Sequence, residues 1–175
     1  MSNEEIKRIF EISKKLQKEA DIQFLPPQDI IPVRRNDVLV HSLFENTRGY
    51  IEKIVFQINK SYKQDCYDAC AVMIRRLIEV LIIETFDAKN IIPNIKDKDG
   101  NFFFLSELIK RTLAEKSLTL GRETKGALKS KTIKKIGDQS AHSRRYNACR
   151  KTIDDIKLDL GIVTQELLYL SGLKK

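Results

Sequence analysis

Residues 66–86 read CYDACAVMIRRLIEVLIIETF, twenty-one positions with no glycine or proline and apolar side chains on nearly every side. Alanine, leucine, methionine, glutamate and arginine all favour the helix, and no breaker interrupts them, so the stretch predicts one continuous helix. A helix that is apolar all round is stable in water only when neighbours cover it. The rest of the chain is therefore expected to pack around this element.

Outward from it the pattern stays helical. Upstream, Tyr50, Ile51, Ile54, Val55 and Ile58 recur at three- and four-residue spacing before a polar break over residues 60–65. Downstream, a loop through Pro93 reaches the turn signal Asp99-Gly100-Asn101, and Phe102-Phe103-Phe104-Leu105 leads into a helix carrying Leu108, Ile109 and Leu113. A weaker helix with Leu128, Ile133 and Ile136 is expected up to His142. Last, Ile153, Ile156, Leu160, Val163, Leu167 and Leu170 form a narrow seam suited to another helix, inside the bundle or across a homodimer.

The N-terminal part reads differently. Ile6, Ile9, Phe10 and Leu16 give residues 3–20 one apolar helical face, while Pro26, Pro27 and Pro32 force extended backbone on a stretch too apolar to be a free linker. Val38, Val40 and Leu43 alternate briefly, but no second strand exists to pair with them, so no sheet is expected. The fold expected is all-α: a bundle of about five helices over residues 47–175, preceded by an N-terminal helix and docked extended arm over residues 1–46.

Composition narrows the class of protein. The 175 residues suit one domain, and with 42% apolar against 32% charged there is material for a core. No stretch approaches the roughly 20 apolar residues of a membrane span, so no membrane partner is expected. The acidic opening Met1-Ser2-Asn3-Glu4-Glu5 is unlike a secretory signal, which makes the cytoplasm the expected location. Three cysteines, an odd number, are expected to stay reduced. Asp97 and Asp99 lack the further acids of a calcium loop, and Cys66, Cys70, Cys149 and His142 match no zinc spacing. Glycine-rich phosphate loops and a Ser-His-Asp set are missing too, so neither metal nor cofactor is expected.

Charge is more informative. Residues 110–151 hold 13 lysines and arginines against 3 acids, whereas the remainder has 19 against 21. A local positive field of this size attracts RNA or another polyanion, with Lys129, Lys131, Lys134, Lys135, Arg144 and Arg145 as candidate phosphate contacts. The plainer alternative is a solvated, lysine-rich surface. Only Tyr146 interleaves with these bases, so a base-stacking platform is not indicated.

At 100° per residue, Asp68, Arg75 and Glu79 fall within about 40° of one another on the central helix. Arg75 can reach Glu79 four residues on and Arg76 can reach it at three, either as a buried pair that fixes packing or to aim a guanidinium at phosphate. His142 ends the segment Gly137-Asp138-Gln139-Ser140-Ala141-His142. Histidine as a residue type suits a general acid or base in phosphodiester cleavage, or His142 is simply a packing residue at a helix end.

Tyr67 to Glu79, then Phe104 to Ile109, then Ile133 to His142, together resemble a bacterial all-helical domain of unknown function found alone or attached to restriction-type nucleases. That family pairs an arginine-rich helix ending in glutamate with a later Gly-Asn-x-x-Ala-His segment. It is in turn similar to the HEPN (higher eukaryotes and prokaryotes nucleotide-binding) superfamily of helical dimers, many of them RNases of toxin–antitoxin and phage-defence systems. The resemblance spans roughly residues 50–170. It implies a HEPN-like domain, homodimeric, in a prokaryotic defence or toxin-type system, with His142, Asp138, Arg75, Arg76 and Glu79 as candidate catalytic residues. Active members carry an arginine five positions before the histidine, and here that position is Gly137. The expectation is thus a degenerate RNase, or alternatively a catalytically silent interaction or regulatory subunit for a protein encoded nearby.

Overall fold

The computed structural model describes residues 37–174 together with Glu11; the expected helix over residues 3–20 and most of the arm lie outside the described residues. Among the described residues there are seven α-helices and no strand: α1 (Gly49–Lys63), α2 (Tyr67–Ala88), α3 (Leu105–Ala114), α4 (Arg122–Ser130), α5 (Thr132–His142), α6 (Arg150–Asp154) and α7 (Lys157–Leu170). The protein is an all-α bundle.

Helix α2 is its axis. Cys70, Ile74, Leu77, Leu81 and Ile82 are fully buried along it, and α1, α3, α5, α6 and α7 all pack against it. The apolar composition of residues 66–86 follows in large part from this position, although Val72, Met73, Val80 and Ile83 are only half-buried and Arg76 faces solvent. Among the described residues no helix is long and apolar enough to cross a membrane.

Three local expectations are corrected. The polar break after α1 is shorter than its composition suggests, because α1 continues to Lys63 and the chain then turns at Asp65, with φ of 57°. Aspartate tolerates that left-handed conformation better than most residues. The single helix expected up to His142 is two, α4 and α5, broken at Lys131, whose φ is 58°. The alternation Val38, Val40, Leu43 forms no strand, as expected, and leads into a 3-10 turn at His41–Leu43. Finally, the seam from Ile153 to Leu170 is broken by a turn at Asp155 and Ile156, and its members Ile153, Leu160, Val163 and Leu167 are completely buried within this one chain. That seam therefore gives no support to a homodimer.

Two polar side chains act as scaffolding. The Asn59 Oδ1 accepts the N–H groups of Val38 and Leu39 at 2.9 and 3.0 Å, and its Nδ2 donates to the Leu39 carbonyl at 2.8 Å, which ties the segment before α1 to the bundle. Asp97 Oδ1 accepts the N–H groups of Asp99 and Asn101, both at 2.9 Å, and so shapes the turn between Ile92–Ile95 and α3.

Candidate functional site

The site grows from one glycine. Where α5 crosses α2, a Cβ on Gly137 would lie 2.6 Å from the Arg75 Cβ and 3.1 Å from the Ala71 carbonyl oxygen. No side chain fits there, so the two helices meet almost backbone to backbone. The Arg75 side chain then runs beside α5, and its Nε donates to Asp138 Oδ1 at 2.7 Å. Its Nη1 lies 3.7 Å from Glu79 Oε2, so Asp138 is the closer partner and Glu79 the more distant one. Lys134, one turn earlier on α5, donates to the other Asp138 oxygen.

Two cations and two carboxylates thus share a half-buried cluster of zero formal charge. Burial pushes the Asp138 carboxyl up, yet the hydrogen bonds from Lys134 and Arg75 outweigh it and hold it below the usual carboxylate range. A carboxylate so held keeps its charge near neutral pH and is a poor proton acceptor. Arg75 and Lys134 are correspondingly committed to it.

His142 lies one turn beyond Asp138 at the C-terminus of α5, and it is exposed. The packing role considered for it is therefore not the one it has; a protonated imidazole there interacts favourably with the negative end of the helix. Lys135 on α5 and Arg144 and Arg145 in the following loop are exposed as well. Arg76 points away from the core and is exposed. Lys129 and Lys131 stand before the N-terminal end of α5, whose eleven residues span about 16 Å, and Lys135 lies one turn into the helix between them and His142. Arg75, Glu79, Lys134 and Asp138 come together; His142, Arg144 and Arg145 form a separate cationic end.

The loop carrying Arg144 and Arg145 is held from below. Asp68, expected alongside Arg75 and Glu79, instead accepts the Ala148 N–H at 2.9 Å. Beyond it lies a cluster that the sequence did not advertise. The Arg150 guanidinium sits 4.9 Å from the Tyr62 ring centroid and donates to the Tyr67 hydroxyl at 3.2 Å, and the Lys157 ammonium lies 4.0 Å from the Tyr62 ring. Tyr62 donates to Asp154 at 2.5 Å, and Lys157 pairs with the same oxygen at 2.7 Å. Each of these contacts from α1 or α2 joins residues more than eighty positions apart, so no local spacing could have revealed it.

The cysteines behave independently. Cys70 is buried in the core, and burial pushes its thiol up to about 12. Cys149 is exposed at the start of α6, where hydrogen bonding with the Thr152 hydroxyl draws its thiol down. Among the described residues no group of three histidine, cysteine or acidic side chains is placed to hold a metal ion. Comparison with protein-family models, curated proteins and solved structures gave no match.

Proposed function

We propose that this chain is a HEPN-like nucleic-acid-associated module of a prokaryotic defence or toxin-type system, one that holds RNA by its phosphates and does not cleave it. The observation that carries this reading is the division of labour among the bases. Arg75 and Lys134 are neutralised by Asp138 and Glu79, whereas Lys135, His142, Arg144 and Arg145 are exposed along α5 and the loop after it. Nearby acids are already engaged: Asp138 with Arg75 and Lys134, Asp154 with Lys157, Asp155 with Lys151. The surplus positive charge is thus left facing solvent, where phosphate can reach it.

Cleavage would need a cation to stabilise the charged phosphorane close to the proton-transfer group, and such electrostatic stabilisation supplies a large share of catalysis. Gly137 stands where the resembling RNases carry arginine, and the contact with Arg75 leaves no room for one. Incubation of labelled single-stranded RNA with wild-type protein and with a Lys135→Glu, Arg144→Glu, Arg145→Glu variant tests both halves. Retarded but intact RNA with the wild type, and lost retardation with the folded variant, is the expected result. Cleavage that persists through purification and disappears in His142→Ala would replace this reading with an active RNase.

A further inference from the structure

The α3–α4 groove shows a different chemistry from the cationic end of α5. It encloses about 510 Å³ between the two helices, with Ile109, Leu113 and Leu128 lining it and Lys110, Lys129 and Lys131 around it. Glu107, the acid on the same surface, pairs with Arg111 at 3.0 Å and with Lys110 at 3.6 Å, so the rim keeps a net positive charge, carried mainly by Lys129 and Lys131, around an apolar floor. Phosphate needs no such floor, and lysines alone would serve a nucleic acid equally well on a flat surface.

A second, independent feature falls at the same place. Four non-glycine residues among those described have positive φ: Asn46, Asp65, Asn90 and Lys131. Asparagine and aspartate adopt this conformation at small cost, whereas for lysine it costs roughly 1 kcal/mol. Glycine would turn the chain between α4 and α5 more cheaply, so the position retains an ammonium at the mouth of the groove at the expense of backbone strain.

We propose that this groove is the docking site for an acidic amphipathic helix of a partner protein, its apolar side chains at i, i+3 or i+4 and i+7 entering between α3 and α4 and its flanking carboxylates meeting Lys110, Lys129 and Lys131. Apolar anchors give such a contact its affinity, and the rim lysines give it orientation and salt dependence. The proposal rests on the groove and its rim, not on Arg144 and Arg145 beyond the far end of α5.

The probe is a labelled designed helix of about five turns with leucines on one face and glutamates on both flanks, compared with the same peptide carrying lysines in place of the glutamates. Fluorescence anisotropy should show saturable binding of the acidic peptide, at least about tenfold tighter than its lysine counterpart and weakened by salt. The double variant Lys129→Glu, Lys131→Gly should lose about tenfold in affinity for the peptide, whereas Arg144→Glu, Arg145→Glu, beyond the other end of α5, should leave that affinity unchanged. Because Lys131→Gly relieves backbone strain, this protein stays folded, and a thermal melt verifies it. Leu113→Ser, at a partly exposed floor position, should weaken the peptide as well. Failure of the acidic peptide to bind, equal binding of the two peptides, or displacement of the peptide by single-stranded RNA would overturn the proposal.

Discussion

Gly137→Ala is the smallest change that strikes the geometry on which the site depends. Alanine is the better helix former by about 1 kcal/mol, and Gly137 lies within α5, so propensity alone predicts stabilisation. Packing predicts the opposite. The new methyl group would stand 2.6 Å from the Arg75 Cβ and 3.1 Å from the Ala71 carbonyl oxygen, both attached to the backbone of α2 and unable to swing aside. Relief demands that the helices separate, and overpacking of this kind costs about 1–3 kcal/mol. Separation also lengthens the 2.7 Å contact between Arg75 and Asp138. The net expectation is a loss of up to about 2 kcal/mol, or a melting temperature lower by up to roughly 8 °C for a chain of this size. Gly126→Ala supplies the control, because nothing lies within 4 Å of a Cβ at that position in α4. It should stabilise by about 0.5–1 kcal/mol. Differential scanning calorimetry of the two variants reads the contrast directly. If Gly137→Ala melts as high as Gly126→Ala, the close approach of α2 and α5 is wrong.

Thiol labelling under native conditions, followed by mass spectrometry, should modify Cys149 first and Cys66 next, while Cys70 reacts only on unfolding; early modification of Cys70 would contradict its place in the core. Acid stability follows from Asp138. Its carboxyl binds a proton less readily in the folded than in the unfolded chain, so its contribution is present above the unfolded value near pH 4 and is lost as pH falls through the lower folded value. Asp138→Asn should therefore lower stability at pH 7 and narrow its gap to the wild type towards pH 3, as read by urea melts; a gap that stays constant would refute the link.

Much of the bundle was legible because a helix must bury its apolar side wherever it goes. The absence of breakers in residues 66–86 and the spacing of Ile51, Ile54, Val55 and Ile58 required only local geometry, and both helices stand where that geometry puts them. Lys131 hid a helix boundary because lysine is a strong helix former and carries no signal for positive φ. The seam from Ile153 to Leu170 could not distinguish a neighbour in the same chain from one in another, since both demand the same apolar stripe. At the site, the i,i+4 rule brought Arg75 to Glu79, yet a closer acid arrived from α5, sixty-three residues away. Glu79 is therefore a half-buried secondary partner rather than the stranded half of a buried pair, and its removal should cost under about 1 kcal/mol. Gly137 carried no sign of its role in its local sequence, and only the helix crossing gives it a physical reason.

The central claim, that the exposed bases along α5 and in the loop after it hold RNA through its phosphates, is tested most directly by the salt dependence of binding. Titration of a labelled single-stranded RNA at several salt concentrations should give a log–log slope of about −2 to −3 for three to four phosphate contacts, at roughly −0.7 each. In the Lys135→Glu, Arg144→Glu, Arg145→Glu variant the slope should fall towards zero together with the affinity. RNA binding that is insensitive to salt, or a slope unchanged by that variant, would contradict the account.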